Sequence, residues 1–233
     1  MFSFLDGIII GSGVHAMPLS TILSTMFGGL GMAGLIFIVA LAGSLPLGVL
    51  VALCRMSKNR VLSFLAKIYI SFLRGTPLIL QLMFIYFAPY YIFGLKLSLT
   101  WRMGACFIGF ILNYAAYFAE IYRAGIQSIP LGQYEAASVL GYSRSQTFTK
   151  IVFPQVIKRI APAMGNEVIT LIKDTSLAFV LSIAEMFTMA ETLAAAMVSM
   201  VPYVLAAALY WFFTLLVEFA LGKFEKKLSY YHD

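Results

Sequence analysis

Several polar and ionisable side chains lie inside otherwise apolar segments of this 233-residue chain. They are Arg74, Asn113, Tyr117, Glu120, Glu167, Thr170, Lys173 and Asp174. Asn113, Tyr117 and Glu120 are spaced i, i+4 and i+7, which places them on one face of a helix, and a similar set runs from Glu167 to Asp174. A charged side chain inside lipid costs roughly 2.5–3.5 kcal/mol on insertion scales, so such residues usually face an interior or water. Two such faces are suited to bind a zwitterion. The basic side chains would bind its carboxylate, and the acidic side chains would bind its amine.

Two of these residues also have a structural interpretation. Lys173 could pair with a neighbouring carboxylate and fix the register of its helix. Arg74 precedes Gly75-Thr76-Pro77, and it could extend toward the membrane surface or donate to carbonyls that the helix break sets free. The residues alone leave these alternatives open.

The composition places the chain in a membrane. It is 61% hydrophobic and 11% charged, with a mean hydropathy of +0.92, whereas a globular domain is about 45–50% apolar and about 25% charged. The net charge of +6 does not indicate nucleic-acid binding, because the basic residues lie between apolar runs and form no stripe on a polar face. We therefore expect an all-α integral membrane protein with a single transmembrane domain over residues 1–233.

Apolar runs of roughly 20 residues predict membrane-spanning helices. Five are expected, over residues 19–53, 62–93, 101–122, 160–187 and 202–221, and the second is interrupted at Arg74–Pro77. Eleven of the 16 Lys and Arg residues fall between or after these spans on one side of the membrane, and Lys67, near the start of the second span, makes a twelfth. Because cytoplasmic loops collect Lys and Arg, the N-terminus is predicted outside, the C-terminus inside, and residues 123–159 form the largest cytoplasmic loop. Residues 1–18 are interpreted as a short outer tail.

The large loop carries the signals of two short helices. Pro130 is suited to begin the first and Gly141 to end it. Ser143 and Gln146 match a capping box that begins the second, and Pro154 is expected to limit it.

The first loop helix carries a small apolar face. Ala136, Ala137 and Leu140 would form it, with Glu135 beside it. Such a face suits a groove on another protein, or it could rest on the bilayer surface.

This loop resembles the EAA loop of permease subunits in ATP-binding-cassette (ABC) importers. The matching residues are Glu135, Ala136, Ala137, Gly141, Ile151 and Pro154. Arg74–Leu78 with Gln81, and Leu171–Leu177, are similar to signatures of the polar amino-acid uptake branch. The resemblance covers about residues 19–228, with a departure over residues 193–200. It implies the methionine-importer-type permease fold, located in the cell membrane of a prokaryote.

The resemblance also implies partners. They are ABC ATPase subunits that receive the loop, a second permease copy or a paralogue, an extracytoplasmic solute-binding protein and a polar amino acid as cargo. No G-x-x-x-x-G-K-[ST] loop occurs in the chain, so ATP and Mg²⁺ are expected on the partner ATPase. An ABC permease for another small solute and a secondary amino-acid carrier remain alternatives.

Neither an enzyme site nor a metal site is expected. His15 and His232 stand alone near the two ends, without companions at metal-ligand spacing. No nucleophile, base and acid are arranged for catalysis.

Overall fold

The computed structural model describes residues 8–10 and 16–228, and most of these residues are helical. A short antiparallel pair of strands, β1 (Ile9–Ile10) and β2 (Met17–Pro18), precedes the first helix. The α-helices are α1 (Leu19–Arg55), α2 (Arg60–Gly75), α3 (Leu78–Phe93), α4 (Leu99–Gln127), α5 (Leu131–Val139), α6 (Arg144–Thr147), α7 (Phe153–Asp174), α8 (Met186–Met197) and α9 (Val201–Leu228). A π-helical turn (Phe148–Val152) joins α6 to α7, and a 3₁₀ segment (Thr175–Leu181) follows α7.

By length and composition, between three and five candidate membrane spans lie among the described residues. Leu19–Arg55, Leu99–Gln127 and Val201–Lys227 are each long and apolar enough to cross a bilayer alone. Two further spans are counted if bent pairs are taken together, namely Arg60–Gly75 with Leu78–Phe93, bent by 111°, and Arg144–Leu181 with Met186–Met197, bent by 58°. The expected five spans correspond to the upper count, and the expected break in the second span is present.

The fourth span differs from its expected extent. Residues 160–187 are not one helix, because α7 ends at Asp174 and the helical structure is interrupted after Leu181, before α8 begins at Met186. Ser182 at the break has a left-handed conformation, with φ of 53°, and Glu185 caps α8 through its side chain. An apolar run does not reveal this break, since Ser182 and Glu185 interrupt it only briefly.

The described residues form two compact units. One contains the chain up to Ala40, Leu78–Phe110 and Thr170–Leu216, and the other contains Leu41–Pro77, Ile111–Ile169 and the chain from Val217 onward. The first unit has a core in which α1, α8 and α9 meet. Its buried members are Ile22, Met26, Met186, Ala190, Leu193, Met197 and Ala206.

In this first core a glycine allows two helices to approach closely. A Cβ added at Gly29 would lie 2.7 Å from the Met186 Cα, whereas a Cβ at the adjacent Gly28 would meet nothing within 4 Å. Small residues at such positions permit the backbone contact that holds membrane helices together.

The two glycines therefore make a matched test of this packing. We expect Gly29→Ala to destabilise the protein by about 1–3 kcal/mol because the backbone of α8 must move. Gly28→Ala should be neutral or slightly stabilising, since alanine favours a helix over glycine by about 1 kcal/mol. Thermal unfolding of the two purified variants in detergent measures the difference. Equal unfolding temperatures would contradict the close approach of α1 and α8.

Candidate functional site

A short helix and its turns form an elbow in the chain at residues 128–154. Its helix α5 follows Pro130 and ends at Val139, with Leu140 as the C-cap just before Gly141, as the sequence predicts. The Gly141 N–H donates to the Ser138 carbonyl and the Tyr142 N–H donates to the Ala137 carbonyl, both at 3.0 Å. With Gly141 at φ of 76°, these bonds form a Schellman motif, which satisfies carbonyls at the helix end. The local sequence thus sets both ends of α5.

The second half of the elbow begins as predicted and ends differently. The Ser143 hydroxyl accepts from the Gln146 N–H, and the Gln146 side chain accepts from the Ser143 N–H, which completes a capping box. Pro154, however, does not limit this helix, because the chain continues through the π-helical turn into α7. Pro154 is the second residue of α7, where a missing N–H is tolerated, and the wider π-helical turn precedes it.

Side chains hold the elbow against α7. Beneath it lies a small buried cluster of Ile129, Val152 and Val156. The Gln155 amide donates to the Gln133 side chain at 3.2 Å. Arg159 on α7 donates to the backbone carbonyl of Ser128. These contacts hold the elbow against the first turns of α7.

The outward face of the elbow differs from the expected one. Ala137 is only 1% exposed and points into the protein, so the expected face of Ala136, Ala137 and Leu140 is wrong at this one position. Leu131, Val139 and Leu140 are instead 76%, 87% and 73% exposed. We define the elbow face by the exposed residues Leu131, Glu135, Ala136, Val139 and Leu140. Three exposed aliphatic side chains around one carboxylate are suited to a partner's groove.

Among the pathway candidates, Asn113 supports the helix break. In a continuous helix the carbonyl of Leu73 would accept from the N–H of residue 77, but residue 77 is a proline and has none. The Asn113 amide on α4 donates to this carbonyl at 3.1 Å. A second bond joins the same helices, from the Tyr69 hydroxyl to the Leu112 carbonyl at 2.7 Å. Asn113 thus supplies one donor that the break in α2–α3 requires.

Charged candidates near Asn113 also find partners within the protein. The Arg74 guanidinium lies 5.2 Å from the centre of the Tyr117 ring, a distance at which a cation is attracted to the ring face. Glu120 forms an ion pair with Arg123, one turn further along α4. Glu167, in the same unit, is half-buried on α7. Asn113, Tyr117 and Glu120 therefore follow one another along α4, as their spacing predicts, and Arg74 near the end of α2 lies over Tyr117.

The remaining candidates belong to the other unit, at the end of α7. Thr170 and Lys173 are exposed and Asp174 is half-buried. Within residues 8–10 and 16–228 no ion pair of Lys173 is present, so the alternative of a structural pair with a neighbouring carboxylate is not found there. Lys173 is thus the candidate with an exposed charge in this unit.

The sequence reasoning missed one polar residue, Glu185. Its carboxylate is fully buried, and it accepts from the backbone N–H groups of Phe187 and Thr188 at 2.7 and 2.8 Å. It also accepts from the Tyr210 hydroxyl on α9 at 3.0 Å. The sequence signal that could have identified it is a single acidic residue within an apolar run. In the structure Glu185 is the N-cap of α8, and its bond from Tyr210 joins α8 to α9.

The part of the chain that the structure describes contains no group of three or more His, Cys, Asp or Glu residues able to hold a metal ion. His15 and His232 lie outside the described residues.

The known proteins that this chain resembles in sequence are named as transport permeases or components of transport systems. A family model described as the binding-protein-dependent transport system inner membrane component matches residues 44–230. A putative glutamine transport system permease protein of Rickettsia bellii is 38% identical over 192 residues, which are 82% of this chain and 87% of that protein. The probable amino-acid ABC transporter permease protein YckA of Bacillus subtilis is 38% identical over 87% of this chain and 88% of its own. The arginine transport system permease protein ArtQ of the same organism is 35% identical over 86% and 91%.

Solved structures agree with these relatives. The crystal structure of an amino acid ABC transporter with histidines has a chain that matches with a TM-score of 0.81 and 32% identity, covering 89% of this chain and 95% of its own. An inward-facing MetNI methionine ABC transporter matches with a TM-score of 0.66 at 17% identity, covering 89% and 96%. The second likeness shows that the fold is the expected methionine-importer type.

The role of Asn113 can be separated from solute contact by measuring stability without solute. Asn113→Ala should lower the free energy of unfolding by about 1 kcal/mol, because a buried hydrogen bond is lost. Tyr69→Phe removes a second bond between α2 and α4 at a residue that is not a pathway candidate, so it calibrates the cost. Thermal unfolding in detergent provides the measurement. Unchanged stability of Asn113→Ala, together with an altered solute preference in uptake, would instead indicate direct solute contact.

Proposed function

The chain belongs to the family of binding-protein-dependent transport system inner membrane components, and from this premise we propose that it imports polar amino acids with energy from a separate ATPase. It is a permease subunit of an amino-acid importer. Glutamine and arginine appear in the names of its relatives, which supports a polar amino acid as cargo. The proposed location is the cell membrane of a prokaryote, in keeping with the bacterial relatives.

The elbow face is the observation that carries the proposal of an ATPase partner. Its aliphatic side chains are exposed on a helix whose ends are fixed by a proline and a Schellman motif. The chain contains no phosphate-cradling loop of its own, so ATP and Mg²⁺ would bind to the partner. A groove in an ATPase that receives α5 would bury these side chains and hold Glu135 at its edge.

The elbow also provides a mechanical route from the partner to the bundle. The bonds from Gln155 and Arg159 join it to α7. Helix α7 continues to Asp174 and carries Glu167, Thr170 and Lys173 along its length. When the ATPases close, a displacement of the elbow would be transmitted along α7 to these polar residues. Alternating access then follows as α7 and the segments beside it reorient.

The remaining partners are proposed from the family. An extracytoplasmic solute-binding protein would deliver the amino acid to the outer side. A second permease subunit, identical or a paralogue, would complete the pathway, because the exposed Thr170 and Lys173 of one chain need a facing surface to enclose a solute.

A substitution on the elbow face tests the proposed coupling. Ala136→Arg should leave membrane insertion and thermal stability unchanged, because Ala136 is exposed. It should abolish co-purification with the ATPase and cargo-stimulated ATP hydrolysis, because a long cation replaces a methyl group inside the groove. Ala136→Ser is the matched control and should retain both.

The adjacent alanine serves as the contrast. Ala137→Arg should lower the unfolding temperature, because it forces a cation into a buried site. If Ala136→Arg retains ATPase association and stimulated hydrolysis, the elbow face is not the coupling surface.

The cargo and the energy source are tested together by uptake in cells. Accumulation of labelled glutamine or arginine should require both this chain and a co-expressed ATPase, and excess unlabelled polar amino acid should compete. Uptake that persists without the ATPase and collapses with the ion gradient would indicate a secondary carrier. ATPase-dependent uptake that no polar amino acid inhibits would indicate another solute.

A further inference from the structure

A basic cleft lies at the turn between α1 and α2, and none of its lining residues belongs to the elbow or to the pathway candidates. Its volume is about 310 Å³, at the lower end of the range for small-molecule sites of about 300–1,000 Å³. Its lining is Arg55, Ser57, Lys58, Arg60, Ser63, Phe64 and Lys67. Four of the seven lining residues are cations and none is an acid.

The helix geometry explains why these cations converge. Arg60, Ser63, Phe64 and Lys67 are spaced i, i+3, i+4 and i+7, so they share one face of α2. Arg55, at the end of α1, reaches this face and donates to the Ser63 hydroxyl at 3.0 Å. The Ser63 hydroxyl in turn donates to the Arg55 carbonyl at 2.7 Å. This reciprocal pair holds the Arg55 side chain at the cleft.

The cations of the cleft have no ion-pair partner among the residues that the structure describes. Across residues 8–10 and 16–228, no carboxylate forms an ion pair with Arg55, Lys58, Arg60 or Lys67. Glu120, whose charge acts on Arg55, is already paired with Arg123. The cleft therefore concentrates positive charge that an external anion can satisfy.

The surroundings of the cleft are apolar. Exposed apolar side chains cover α2, namely Val61, Leu62, Phe64, Leu65, Ile68 and Phe72. Helix α1, which ends at the cleft, is apolar enough to span the bilayer. An anion that fits here would therefore carry apolar chains that lie along α2, and a small free anion would leave that surface uncovered.

From this arrangement we propose that the cleft binds the phosphate headgroup of an anionic phospholipid, whose acyl chains lie against α2. Basic pockets beside membrane helices on the cytoplasmic side are suited to such headgroups, and each cation near an anionic lipid surface strengthens binding about fivefold. The bound lipid would fix the turn between α1 and α2 at the inner membrane surface.

Native mass spectrometry of the purified full chain in nonionic detergent, titrated with phosphatidylglycerol or phosphatidylcholine, tests this proposal. Wild type should bind phosphatidylglycerol more tightly than phosphatidylcholine. The triple variant Lys58→Gln, Arg60→Gln, Lys67→Gln should lose phosphatidylglycerol affinity on the order of 100-fold, with phosphatidylcholine binding unchanged. The matched control Lys223→Gln, Lys226→Gln, Lys227→Gln removes the same charge elsewhere and should stay within about twofold of wild type.

Other results would overturn the proposal. Equal losses in the two triple variants would show a general effect of charge, and no preference for phosphatidylglycerol in wild type would exclude a headgroup site. Inorganic phosphate that displaces the lipid at equal concentration would identify a free anion as the occupant. If the triple variant does not insert, Arg60→Gln and Lys67→Gln alone should each weaken phosphatidylglycerol binding about fivefold, and unchanged binding in both would reject the site.

Discussion

A backbone carbonyl or N–H inside lipid has no water to bond, so each interruption of a membrane helix requires a partner from the protein. In the described part of the chain, polar side chains meet this requirement at the breaks of the two bent spans. At Gly75–Pro77 the Asn113 amide supplies a donor to the Leu73 carbonyl. At the break before α8, the Glu185 carboxylate accepts from the N–H groups of Phe187 and Thr188. These side-chain hydrogen bonds therefore stabilise the bends in the two spans. The bends also place polar groups where an uninterrupted apolar helix would have none.

The elbow obeys the same rule at its helix ends. Its helix ends are satisfied by the Schellman motif at Gly141 and the capping box at Ser143, so the turn between them is held by bonds on both sides. The bonds from Gln155 and Arg159 then join the elbow to α7. A stiff elbow on a long helix can transmit displacement, whereas a flexible tether would absorb it. This stiffness connects the exposed aliphatic face to the polar residues of α7, and it is why the chain is suited to be driven by a partner.

The sequence predicted the features that depend on local chemistry. Pro130, Gly141 and the Ser143–Gln146 box fixed the elbow because caps are made between residues a few positions apart. The prediction for Pro154 was wrong because a π-helical turn admits the proline, and the turn has no signature in residue type. Positions 136 and 137 are both alanine, so the residue type does not distinguish them. Only packing against the neighbouring segments decides which of the two is buried. The bond from Asn113 to Leu73 joins residues 40 positions apart, so spacing within one helix could place Asn113 on a face but could not reveal its partner.

If the elbow face receives a separate ATPase, a photoreactive amino acid introduced at Val139 should crosslink to it in cells that express the ATPase. Because Val139 is 87% exposed and Ala137 is 1% exposed, we expect an adduct with the ATPase from position 139 and none from position 137. The absence of an adduct at 139 in an inserted, folded chain, or labelling of that position by a reagent confined to the outer side, would contradict it.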